Sequence, residues 1–355
     1  FARACRALDE KARACRAMAA STFVRVSVFV AFVGLGVVIK LTQHGARTLS
    51  YNPLCPMVVV SVGKLCCSLA LYLRHDGSLE KLAGQLRASG IMVRNYLVVA
   101  ALYCLYDVLS FVSLGYFDPQ TYTVLLQLRI VTTAMIWELA FGRTNCWSKR
   151  FGLVLIAAGC AAKQAGNSGS IATTPGSTSS LRYVFIAVQV LSNSLASVAN
   201  EVLLKKSGDL PLNAQNMVQY SWTIAWCLLV GVLAPVERLR LNPLDLNEWA
   251  PMLDVRMVPN IVVLVVLGLV TSNFLKMWDS VWKSIATAIE LFLTALLSAG
   301  IFGYHILATD VLALCILIAG IRLFIAPGST GTQAAQAAPF WKQSRWWTKQ
   351  EPHVI

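Results

Sequence analysis

The chain is 355 residues long, 57% hydrophobic and 13% charged, with a mean hydropathy of +0.62 and a formal net charge of +13. That balance excludes an ordinary soluble domain and describes a polytopic membrane protein. It does not describe a nucleic-acid binder, because Lys and Arg are dispersed among loops rather than gathered on one folded face.

Residues 1–21 carry an Ala/Arg-rich echo, Ala2–Ala7 and then Ala12–Ala17. This predicts a cationic helix lying on an anionic cytoplasmic leaflet. The same richness fits the end of a transit peptide, against which Asp9 and Glu10 weigh. The sequence starts at Phe1, so an upstream segment, such as a cleaved targeting piece, is expected.

Ten apolar segments follow, at roughly 22–42, 53–73, 95–116, 119–141, 150–165, 181–204, 213–235, 257–277, 280–303 and 306–326. About 20 apolar residues cross about 30 Å of hydrocarbon, so several are membrane spans; the fifth is short. A Gly/Ser/Thr-rich linker at 166–180 separates a first half, 22–165, from a second, 181–326. The tail, 327–355, joins a low-complexity stretch to Phe340-Trp-Lys-Gln-Ser-Arg-Trp-Trp, an aromatic and cationic anchor or a docking peptide. Basic residues concentrate on the side of the N-terminus, as at Arg74, Lys81, Arg87, Lys149 and Arg150, which predicts both termini cytoplasmic.

The ten cysteines show no CxxC pair, and most fall in apolar segments as small buried hydrophobes. The four histidines show no metal-ligand spacing. With no nucleophile–base set and no metal cluster in the pattern, neither an enzyme nor a cofactor is expected.

At an offset of 161, Asp118 meets Asp279, Thr133-Ala134 meets Thr294-Ala295, and Phe141-Gly142 meets Phe302-Gly303. Five segments per half give the second half inverted topology, with a site near the midplane between halves. The predicted fold is an all-α membrane protein, ten transmembrane helices as two inverted five-helix repeats around a central cavity. Arg129 and Lys283 sit within apolar stretches, where a cation costs about 2.5–3.5 kcal/mol and usually faces a polar cavity or a partner. Two such cations on separate helices suit an anionic cargo.

Tyr122-Thr-Val-Leu-Leu-Gln-Leu-Arg129-Ile-Val-Thr-Thr-Ala, with Phe141-Gly-Arg143, resembles the helix-4 signature of nucleotide-sugar transporters, in the CMP-sialic acid and UDP-galactose branch. Lys276-Met-Trp-Asp279-Ser-Val-Trp-Lys283 is similar to the family's K-Y-x-D-N-I-x-K. Asn200-Glu201-Val-Leu-Leu-Lys205 and Asn213-Ala-Gln215 are similar to its F-E-K-x-L-K and R-N-I-Q. The resemblance implies the drug/metabolite transporter fold. It also implies antiport of a nucleotide sugar against a nucleoside monophosphate across a Golgi-type membrane, with a plastid membrane as the alternative. It places Arg129 and Lys283 at the phosphates and Tyr122, Tyr103 and Asn213 on the cavity wall. The family's helix-3 Q-N-N reads Tyr106-Asp107-Val108 here, so Asp107 joins the expected binding residues where amides read the nucleoside. The helix-2 E-x-x-K reads Ser61-Val-Gly-Lys64, which strips that lysine of its acid.

Competing readings stay open. Arg129 contacts cargo or pairs with a buried acid among Glu138, Asp107 and Glu290. Lys283 has snorkelling as its alternative, and for Lys40 and Lys64 snorkelling is the first explanation. Lys276 and Asp279 read as an end-of-helix polar network. The second function reading is a non-transporting relative recruited as a subunit of a larger membrane complex, an organellar energy-transducing one included, with its tails contacting membrane-protein partners. Membrane lipid surrounds the chain in either reading.

Overall fold

The computed structural model describes residues 22–40, 42, 51–114, 117, 119–142, 145–166, 180–206, 210–233, 239–302 and 308–326. The cationic N-terminal segment, all but the ends of the linker, and the C-terminal tail lie outside these residues, as do Asp118 and Gly303 of the aligned halves.

The described residues form helices and connecting turns, with no strand among them. In chain order the helices are α1 (Thr22–Lys40), α2 (Leu54–His75), α3 (Leu79–Ala88), α4 (Gly90–Leu114), α5 (Pro119–Leu126), α6 (Leu128–Phe141), α7 (Trp147–Gly166), α8 (Ser180–Lys206), α9 (Leu212–Leu233), α10 (Leu246–Trp249), α11 (Val258–Met277), α12 (Ser280–Phe302) and α13 (Ala308–Ile325). Local chemistry sets their ends. Asn52 Oδ1 accepts from Leu54 N at 3.0 Å at the start of α2, and Ser78 caps α3 by accepting from Lys81 N. Gly142, at φ +63, closes α6 in the left-handed conformation that suits glycine at a helix C-cap.

Nine helical segments among the described residues are long and apolar enough to cross a membrane. One of them, Tyr122–Phe141, joins α5 and α6. Helix α7 matches them in length, at 20 residues, but carries Lys149, Arg150 and Lys163.

Several boundaries correct the sequence reading. The fourth segment is two helices, because the backbone tightens at Gln127, whose N–H bonds Val124 O three residues back. The third begins at Gly90 and the fifth at Trp147, since polar first turns belong to helices that emerge from hydrocarbon. The loop helix α3 went unread because its leucines are spaced for a surface, not a span. Cys66, Cys67 and Cys315 are exposed on outer helix faces, whereas Cys55, Cys104, Cys160 and Cys227 are buried as expected.

Packing follows a regular scheme. Helix α2 lies along α9 and α11, α4 along α8 and α9, α6 along α8 and α12, and α7 along α13. Helix α1 joins α11 and α12 through Phe32, Val33, Phe274 and Ala286. The α7–α13 pair approaches backbone to backbone: a Cβ at Gly320 would lie 2.8 Å from Gly152 O, and one at Gly152 would lie 2.7 Å from Gly320 O. Small residues at such contacts are how membrane helices gain close van der Waals packing. Between α2, α4, α8, α9, α11 and α12 the packing leaves a void lined by charged and polar as well as apolar side chains.

Candidate functional site

That void is a cavity of about 510 Å³, within the usual range for small-molecule sites. It runs from Tyr51, Pro53 and Met257, at the ends of α2 and α11, inward to Lys64, Tyr103, Asp107 and Lys283.

Lys283 projects from the first turn of α12, with its Nζ 6.0 Å from the centre of the Tyr103 ring. Lys64, from the middle of α2, places its Nζ 5.7 Å from the Tyr220 ring centre. Both rings offer their electron-rich faces to a cation. The Lys64 stem lies over Gly268 of α11, filling the space that a Cβ there would take. Lys64 and Arg129 both lie within electrostatic reach of Lys283. The cavity thus gathers like charges from α2, α6 and α12, an arrangement that a bound anion relieves.

Asp107 is the only carboxylate among the cavity-lining residues described. It lies within electrostatic reach of Lys64. The acid missing beside Lys64 on its own helix is therefore supplied by α4. Tyr103, one turn before Asp107, lies beside Asn200 and Ser197 of α8. Asn200 is 4% exposed, and its Oδ1 has no hydrogen-bond partner among the described residues.

Arg129 stands beside this cavity rather than on the wall described above. It lies within electrostatic reach of Tyr106 and of Glu290. Glu138, one acid weighed as its partner, is instead bound by Arg150 at 2.6 Å. Tyr122 packs with Leu126, Ile186 and Val190, and its hydroxyl accepts from Gln189 Nε2 at 2.7 Å. Asn213 is at the opposite end of the bundle from Tyr51, in the first turn of α9, where it donates to Asp76 Oδ2 at 2.8 Å. The structure therefore brings Tyr103, Asp107 and Lys283 onto one wall, sets Arg129 and Tyr122 behind it, and leaves Asn213 near the end of α2.

At that same end Glu201, fully buried, accepts from Ser280 N at 2.7 Å, Ser280 Oγ at 2.6 Å, Trp137 Nε1 at 3.2 Å and Lys205 Nζ at 2.7 Å. The network ties α6, α8 and α12 together. Asp279 accepts from Trp282 N at 2.8 Å and caps α12, which fits the end-of-helix role read for it.

Two lining residues escaped the sequence reading. Lys64 was read as snorkelling, yet it sits ten residues inside α2 and turns inward. Asn200 was read only as part of a motif, and the polar residues around it, Asn193, Ser197 and Glu201, gave it no signal of its own.

A nucleotide-sugar transporter family model matches residues 20–325. The chain belongs to the nucleotide-sugar transporter family. Among relatives of this transporter-family chain, the UDP-galactose transporter senju of Drosophila melanogaster is 32% identical over 337 residues, covering 85% of this chain and 86% of that protein. CMP-sialic acid transporter 1 of Oryza sativa subsp. japonica is 26% identical, covering 70% of this chain and 77% of its own length. A solved structure, described only as the crystal structure of a protein, superposes with a TM-score of 0.63 at 12% identity, over 84% of this chain and 96% of that one. That likeness concerns the fold alone.

Proposed function

We propose that this member of the nucleotide-sugar transporter family exchanges a nucleotide sugar for a nucleoside monophosphate by alternating access. The observation that carries the reading is the cavity itself, where Lys64 and Lys283 line the wall and Arg129 stands within electrostatic reach of Lys283. Charge-assisted hydrogen bonds to phosphate are about twice as strong as neutral ones, so these cations dominate affinity. Tyr103 and Asp107 face the nucleoside and sugar. Asn213 reaches cargo only once its bond to Asp76 opens.

Ten spans in two inverted repeats fit the packing. Pairing each span with the one five places later, with α5 and α6 as one and α7 counted, maps the α4–α9 contact onto α11–α2, and α4–α8 onto α1–α11. Such repeats put the site between halves, where rocking exposes it to each side in turn. Both termini then lie on the cytoplasmic face of a Golgi-type membrane. The recruited-subunit reading is the weaker one, because the relatives are named as transporters.

Counter-flow into proteoliposomes, across a panel of nucleotide sugars, tests this. Uptake accelerated by an internal nucleoside monophosphate is the expected result; no uptake of any panel member defeats the reading.

A further inference from the structure

We propose that Asp107 and Asn200 make this cavity selective for nucleotide sugars whose sugar is neutral and hydroxyl-rich, against those whose sugar carries a carboxylate. The inference rests on the nucleotide-sugar reading and deepens it.

Both residues line the cavity, and both present acceptors. The Asn200 Oδ1 is buried without a hydrogen-bond partner among the described residues. An amide oxygen shut away from bulk water is costly unless a donor meets it. The Asp107 carboxylate, when ionised, can only accept. Tyr103 lies beside Asn200 and within electrostatic reach of Asp107. Sugar and ribose hydroxyls are donors that satisfy both groups, while a sugar carboxylate brings no donor.

Charge gives the second argument. Lys64 is in part engaged electrostatically by Asp107, so the phosphates fall chiefly to Lys283 and to Arg129 once it leaves Glu290. A diphosphate fills that capacity. A further negative charge on the sugar finds only Lys64, already faced by Asp107, and meets the Asp107 field inside a cavity of about 510 Å³. Built-in repulsion of this kind is how a site rejects a near-isosteric competitor.

The test compares UDP-galactose with UDP-galacturonate, which share base, diphosphate and ring and differ by one carboxylate. Both are offered to proteoliposomes holding the full chain, with folding checked by size-exclusion chromatography. The native protein is expected to favour the neutral sugar by about tenfold or more, as like charges in a confined site require. Asp107→Asn keeps the shape and removes the charge, so the ratio should fall to about threefold or less; Asp107→Glu keeps the charge and should hold the native ratio. Equal uptake of the two sugars by the native protein overturns the inference while leaving transport intact. So does a native-like ratio in Asp107→Asn, or a ratio lost equally in Asp107→Glu. Failure of the native protein to move either sugar overturns the inference, and the nucleotide-sugar reading falls with it only where the wider counter-flow panel also gives no uptake.

Discussion

Arg129 and Glu290 stand 161 residues apart in sequence, and their charges lie within electrostatic reach of each other. Glu290 also lies against Gly36 of α1, where a Cβ would collide with its carboxylate, and within reach of Lys40. An acid inside a span is retained where it faces protein or water rather than lipid. In the proposed exchange Glu290 competes with cargo for Arg129. Glu290→Gln should therefore lower the KM for nucleotide sugar about threefold while slowing turnover, since the vacated cation no longer has a resting partner. Uptake measured against substrate concentration separates the two effects, and a raised KM contradicts the competition.

Lys64 owes its pose to the missing side chain at Gly268. Gly268→Ala should push the ammonium away from the Tyr220 ring and out of the cavity, cutting uptake about tenfold or more, because a 1 Å misplacement of a binding group is already costly. Lys64→Met should lose uptake to a similar degree, and adding Gly268→Ala to it should cost little more. If the two losses simply add, Gly268 acts through something other than Lys64.

Glu201 is buried without exposure and accepts from donors on α6, α8 and α12. Glu201→Gln removes the charge that three of these partners were placed to meet, and turns one oxygen into a donor facing Ser280 N–H. The expected loss is about 3 kcal/mol of stability, read as a lower melting temperature in detergent. An unchanged melting temperature would show that the network does not brace the bundle.

Outside the spans, burial pushes the Asp279 carboxyl above the ordinary Asp value, opposed by the Trp282 N–H and aided by the charge on Glu201. An acid whose folded pKa is raised contributes its stability at low pH and loses it as pH rises through the folded value. Asp279→Asn keeps a capping oxygen without that penalty. Relative to the native protein the variant should therefore gain stability as pH rises above the ordinary Asp value, in melting curves taken at several pH values. A relative loss over that window would mean that the cap needs the negative charge.

The spans and the two outlying cations, Arg129 and Lys283, were legible because a charge inside a long apolar run has few explanations. Asp107 was legible from its departure from the family pattern. Lys64 was not, because snorkelling or facing a cavity depends on which way α2 is turned, and that is decided by Gly268 on a helix about 200 residues away in sequence. Asn213 matched a family motif, yet its position in the first turn of α9 lets it reach Asp76; the motif gives the residue but not the conformational state. The break at Gln127 left no mark in hydropathy, because it changes hydrogen-bond spacing and not polarity.

Counter-flow of UDP-galactose into proteoliposomes preloaded with a nucleoside monophosphate, comparing the native chain with Lys283→Ala and Arg129→Ala, tests the central claim most directly. Native uptake should be stimulated by the internal nucleotide. Each alanine variant should lose exchange by about 100-fold while still eluting as a folded protein, and Arg129→Lys should keep part of it because the charge survives without the bidentate fork. Normal exchange with both cations removed would contradict the account.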